Sequence, residues 1–184
     1  MNFFKRYSMI LEKAYFSILR NGYKRAGYLR KHHVLAEIGE NVYYFSRIFP
    51  ADPKFLKIKN NVIIATNVRF LNHDRVDLLL YGLHKRHFDQ YHQCIEVGNN
   101  VFIGADVVVL PDVQIGDNVI IGAGSVVTKD LESGGVYAGV PARKVGTYEK
   151  FISKRLGETY ISDDPEILWK KFYESRKGIK NGSK

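Results

Sequence analysis

From residue 97 the chain reads in sixes: "VGNNVF", "IGADVV", "VLPDVQ", "IGDNVI", "IGAGSV", "VTKDLE". The leading positions are Val97, Ile103, Val109, Ile115, Ile121 and Val127, all β-branched, and glycine follows four of them at Gly98, Gly104, Gly116 and Gly122. The fifth positions, Val101, Val107, Val113, Val119, Ser125 and Leu131, are mostly aliphatic. An ordinary strand alternates every two residues and an amphipathic helix repeats near 3.6, so neither explains this period. A short strand and a sharp turn repeated indefinitely do. The aliphatic points inward, while glycine or asparagine accepts the positive φ of the turn. Three hexads close a triangular coil, and coils stack by parallel hydrogen bonding into a column.

The register continues upstream more faintly. Ile58, Ile64 and Phe70 lead "IKNNVI", "IATNVR" and "FLNHDR", and "IGENVY" at 38–43 is an earlier turn offset by two residues that "FPADPKF" absorbs. The step from Phe70 to Val97 is not a multiple of six, so residues 75–94, "RVDLLLYGLHKRHFDQYHQC", leave the coil as an insertion. Long loops without their own repeat are often functional.

Both ends read as helices. Phe3, Tyr7, Ile10, Leu11, Ala14, Ile18 and Leu19 share one face until Asn21-Gly22 stops the run, and a second basic helix spans about 23–33. The tail segment "SDDPEILWKKFYESRKG" has an aspartate N-cap, a first-turn proline and a closing glycine. The expected division is a helical cap over 1–37, the column over 38–146 with its insertion at 75–94, and a helical tail over 147–184. The helices are expected to cover the open ends of the column. Peripheral membrane contact through the N-terminal helix is the rival use of that segment.

A formal charge of +9 points to anionic partners, yet basic residues crowd the two ends and the middle is nearly balanced. No motif joins that charge to a recognition element, so nucleic acid is not the expected partner. Cys94 is the single cysteine, which excludes an internal disulfide. The N-terminus lacks a cleavage site of small residues, and no apolar run approaches a membrane span. A cytoplasmic protein is expected.

With these hexads on the page, "IEVGNNVFIGADVVVLPDVQIGDNVIIGAGSVVTKDLESGGVYAGVPARKVG" (95–146) resembles the hexapeptide-repeat acyltransferases. It is most similar to the branch of galactoside and maltose O-acetyltransferases and surface-polysaccharide acetyltransferases. The resemblance implies a mainly β fold, a left-handed parallel β-helix with flanking N- and C-terminal α-helices, against the usual crossover hand. It also implies a homotrimer with acetyl-CoA in grooves between subunits, no metal, and acetyl transfer to a carbohydrate hydroxyl of a surface polysaccharide or its precursor.

In the resembling enzymes a histidine ends a coil just before an excursion; here that residue is His73 of "NHD". A sugar hydroxyl is a poor nucleophile at neutral pH, and a neutral imidazole suits removal of its proton, contributing about 10²–10⁴ in rate. Asp74 is its expected partner, although neighbours in a strand point opposite ways. Where the motif matches, Ala105, Ala123, Thr128, Lys129 and Arg143 border the coenzyme, with the basic pair near its phosphates. Tyr81 and His84 of the insertion, with Phe102 in place of the family's frequent tryptophan, are expected at the acceptor.

Three alternatives remain. An amino-sugar nitrogen would serve as acceptor equally well. A gamma-class carbonic anhydrase shares the column and has two zinc histidines at the spacing of His87 and His92, but its third ligand would fall near Ala51, where no histidine stands. A non-enzymatic assembly module would need no "NHD".

Overall fold

In a computed structural model, residues 3–158 and 162–177 are described. The described residues form thirteen short strands, all but the last two within the hexads and the early coil before them, and the described chain divides into two units at Phe151 and Ile152. In the first unit, β1 (Glu37–Ile38), β3 (Leu56–Ile58), β6 (Ile95–Val97) and β9 (Val113–Ile115) stack as one parallel face. The second face stacks β2 (Val42–Tyr44), β4 (Val62–Ile64), β7 (Val101–Ile103), β10 (Val119–Ile121) and β12 (Gly135–Ala138), closed by antiparallel β13 (Arg143–Thr147). The third face is β5 (Arg69–Phe70), β8 (Val108–Val109) and β11 (Val126–Val127).

The register is the one the hexads dictate. Val97 pairs with Ile115, Ile103 with Ile121 and Val109 with Val127, a step of 18 residues or one coil. Ile38 pairs with Ile58, two residues more than a coil, as the "FPADPKF" offset requires. Ile58 pairs with Val97, a 39-residue step that exceeds one coil by 21 and measures the insertion. All the leading aliphatics and all the fifth-position residues from 97 on are buried, with Ser125 tied to Gly122 O (2.6 Å). The core is therefore a column and not a ball.

The corners repeat too. Asn41, Asn61, Asn100 and Asn118 all adopt positive φ between the first and second faces. Their side-chain amides form a ladder at 2.7, 2.8 and 2.9 Å, so each turn residue also bonds the coil above. At Gly104 a Cβ would meet Ala123 N at 2.5 Å, so the close approach of coils there excludes any larger residue.

Two helices precede the column. In α1 (Phe3–Ile18) the inward side chain is Phe16, fully buried against Tyr44 and Phe49 at ring distances of 5.7 and 5.3 Å. The expected inward stripe is different: Ile10, Leu11 and Ile18 are more than half exposed. Among the described side chains of α1, Phe16 alone is buried, so the hydrophobic periodicity there does not mark the buried side. The side chains of Phe3 and Tyr7, and residues Lys180 and Lys184 of the basic tail, lie outside the description.

Helix α2 (Gly22–Lys31) starts at Asn21, whose side chain accepts the Tyr23 N–H (2.7 Å). It packs on β2, and its wholly buried Arg25 donates to the carbonyls of Tyr44 and Phe45 at 2.8 Å each and to that of Leu19. Burial first, then the neighbouring Arg47, pulls its guanidinium below the ordinary arginine pKa.

The insertion holds α3 (Val76–His84), and α4 (Tyr148–Gly157) crosses the boundary between units. In the second unit, α5 (Pro165–Lys177) begins as its sequence indicates, with Asp164 accepting the Glu166 N–H (2.9 Å). Trp169 stacks on Tyr173 within it. No helix among the described residues is long and apolar enough to cross a membrane.

Candidate active site

His73 follows β5, where the third face ends and the chain should turn back to the first. Instead it departs, and it returns at His92. The two histidines form an antiparallel bridge, flanked by Gln93 N–H to Asn72 O (2.7 Å) and Asp74 N–H to Tyr91 O (3.3 Å). The excursion therefore hangs from a hydrogen-bonded neck with His73 at its root. Asn72 is fully buried beneath, and its amide donates to Phe55 O (3.0 Å) and Gln93 O (3.3 Å). It ties the preceding coil to the returning strand.

The partner of His73 comes from that preceding coil. Asp52 occupies the same corner one coil earlier, and its carboxylate is hydrogen-bonded to His73 Nδ1. A carboxylate accepts, so Nδ1 carries the proton and Nε2 keeps the free lone pair. That is the tautomer a general base needs. The His92 ring lies 5.5 Å from that of His73, and Phe55 lies 5.5 Å from His92 on its other side. Asp74, the partner expected from sequence, is engaged elsewhere: its Oδ1 accepts the Val76 N–H (3.0 Å) in the turn that launches α3.

The remaining expected residues are spread over the column. Ala105 and the exposed Ala123 stand one coil apart at the corner between the second and third faces, with Gly124 N–H bonded to Ala105 O (2.8 Å). Thr128 and Lys129 are exposed on the same corner as His73 but two coils further on, about 10 Å along the column at roughly 4.8 Å per coil. Arg143 is exposed at the start of β13. Phe102 projects from the second face, opposite the corner that holds His73, in register with Ile63 and Ile120. Within one chain these residues do not converge on His73.

In the excursion, Tyr81 and His87 line a cavity of about 350 Å³ with Arg75, Asp77, Leu78 and Phe88. His84 sits at the end of α3, its ring 5.8 Å from Phe88. His87 bonds Asp89 (3.2 Å), whereas His92 faces His73. The histidine pair that matched zinc ligands by spacing is thus divided between two surroundings.

Sequence reasoning missed Asp52 and Asn72; it expected His92, with the other insertion histidines, Tyr81 and Tyr91, to shape an acceptor pocket, with metal ligation as the rival reading. For Asp52 a signal existed. It precedes His73 by 21 residues, close to the 20-residue step between the first two coils, so the register places both at one corner. The "FPADPKF" segment hides this because it has no hexad of its own.

Residues 95–129 match the family described as bacterial transferase hexapeptide (six repeats). Protein CapG of Staphylococcus aureus is 36% identical over 129 residues, covering 70% of each chain. A maltose O-acetyltransferase from Clostridium difficile 630 superposes with a TM-score of 0.55 at 26% identity, covering 74% of this chain and 84% of that one. A galactoside acetyltransferase in complex with coenzyme A superposes with a TM-score of 0.54 at 28% identity, covering 83% and 85%. Repeat, register and relatives agree, and the chain belongs to the hexapeptide-repeat acyltransferase family.

Proposed function

We propose that this chain is an acetyl-CoA-dependent O-acetyltransferase acting on a carbohydrate hydroxyl, with His73 as general base and Asp52 as the residue that positions it. The observation that carries this reading is the Asp52–His73 contact at the root of the excursion. With Nδ1–H on the carboxylate, the neutral form of the ring carries its lone pair on Nε2, at the root of a hydrogen-bonded neck. The similar structures include enzymes named for maltose and galactoside, which supports a carbohydrate acceptor. A surface polysaccharide or its precursor is the acceptor class we favour.

The residues present fit coenzyme A. Small side chains at the Ala105 and Ala123 turns leave the corner open, and Lys129 and Arg143 offer two exposed cations suited to phosphates. When bound, the coenzyme supplies an activated acyl thioester. His73 Nε2 takes the proton of the acceptor hydroxyl as its oxygen attacks the acyl carbon, the Asp52 carboxylate offsets the positive charge that develops on the ring, and the ring returns that proton to the sulfur as the C–S bond breaks and coenzyme A leaves as its thiol. Exposed backbone N–H groups at the turns are suited to the charge gathering on the carbonyl oxygen. Phe55, Tyr91 and His92 flank the base and form the near wall of the acceptor site.

The column is left-handed and the protein a homotrimer in this reading. The separation of Phe102, Ala105 and Ala123 from His73 within one chain supports it, because a neighbouring copy brings such residues to the base. The exposed Leu78, Leu79 and Leu83 of α3 supply apolar surface for that contact. The test is thioester cleavage with acetyl-CoA across a panel of glycans and nucleotide sugars. Wild type should turn over one acceptor class and His73→Ala should lose about 10²–10⁴ in kcat. Equal turnover by both proteins would refute the assignment of the base.

A further inference from the structure

The excursion brings a second histidine to the catalytic pair, and the three groups together have a chemistry that base catalysis does not use. One ligand atom from each of Asp52, His73 and His92 lies within 4.8 Å of the others. Around a tetrahedral zinc ion with ligand bonds of about 2.0–2.1 Å, ligand atoms stand roughly 3.3 Å apart. The three donors are therefore gathered within reach of one ion, and His92, exposed on the returning strand with its Nδ1 bonded to Gln90 O (3.3 Å), keeps Nε2 for coordination. Two imidazoles and a carboxylate suit borderline transition-metal ions such as Zn²⁺ over Mg²⁺ or Ca²⁺, which prefer all-oxygen sites.

We propose that Asp52, His73 and His92 form a binding site for a single Zn²⁺ ion, and that occupancy switches the acyltransferase off. A neutral imidazole has one free lone pair, and coordination uses it whichever ring nitrogen binds. A metal-bound His73 cannot accept the acceptor's proton. The inhibitory consequence rests on the reading of His73 as base; the binding site does not. Coordination forms metal–nitrogen and metal–oxygen bonds with no change of oxidation state, and water completes the fourth position.

The experiment titrates the full-length protein with ZnCl₂ by calorimetry, with neither acetyl-CoA nor acceptor present, comparing wild type with His92→Ala, Asp52→Asn and His87→Ala. The expected result is one zinc per chain, weakened at least tenfold by His92→Ala and by Asp52→Asn and unchanged by His87→Ala. Equal affinity in wild type and His92→Ala, or loss on His87→Ala, would overturn the site. In the turnover assay, saturating Zn²⁺ should reduce the wild-type rate at least tenfold, reversibly with EDTA, while the ratio of rates with and without zinc stays near one in His92→Ala. Full wild-type turnover at zinc saturation would overturn the switch. Zinc binding as expected in a protein that cleaves no thioester would refute the acyltransferase reading and leave the site standing.

Discussion

Asp52→Asn isolates the charge behind His73 while keeping the side chain's size. In wild type, the carboxylate holds His73 Nδ1–H, and in the proposed mechanism it faces the positive charge that develops as Nε2 takes a proton. Hydrogen bonds to charged groups contribute about 1.5–3 kcal/mol. The two side chains keep 25% and 29% of their surface in solvent, which screens the interaction and favours the lower part of that range. At about 1.4 kcal/mol per tenfold in rate, kcat should fall roughly 10- to 40-fold, with the KM for acetyl-CoA little changed. Because Asp52 acts through His73, adding Asp52→Asn to His73→Ala should cost nothing further. Asp74→Asn should retain activity, since an asparagine Oδ1 still accepts the Val76 N–H. The assay is steady-state thiol release from acetyl-CoA with the accepted carbohydrate. Wild-type kcat in Asp52→Asn, or losses that add in the double variant, would refute the arrangement.

Two predictions concern the scaffold. Arg25→Met should destabilise the protein by about 2–4 kcal/mol in urea unfolding, because the buried Tyr44 carbonyl and its half-buried neighbours at Phe45 and Leu19 lose their donor; a change under 1 kcal/mol would show that water replaces it. On the first face, Lys59 Nζ lies 3.0 Å from Glu96 Oε1, and the hydrogen bond to Lys59 holds the Glu96 carboxyl below the ordinary glutamate value. A depressed carboxyl contributes stability that is present above its unfolded pKa and is lost as pH falls through its folded one. Glu96→Gln should therefore lower the urea midpoint at pH 7, with the difference from wild type vanishing under acid conditions that protonate Glu96; a difference independent of pH would refute the pairing.

The period of six determined the column, because each hexad closes its own turn and buries its own aliphatic. Register then follows by adding 18, and both the early offset at "FPADPKF" and the insertion before Val97 appear as departures from that count. The break that follows His73 was legible for the same reason, while the role expected of that histidine came from the family resemblance. The surroundings of His73 were not legible. Asp52 and His92 lie on segments without a repeat, one before and one after the histidine, and no periodic rule states where an irregular corner places its side chains. Asp74 shows the converse. Adjacent in sequence, it turns to the helix that follows it, because a backbone N–H two residues away is nearer than any ring. The inward side of α1 was likewise hidden, since among its described side chains Phe16 alone is buried, against Tyr44 and Phe49, while Ile10, Leu11 and Ile18 are exposed. The sequence by itself determined the coil and the place where it breaks after His73, through a local and periodic pattern. The tertiary structure decided what faces that histidine, because those contacts join residues that only stacked coils and a closed neck bring together.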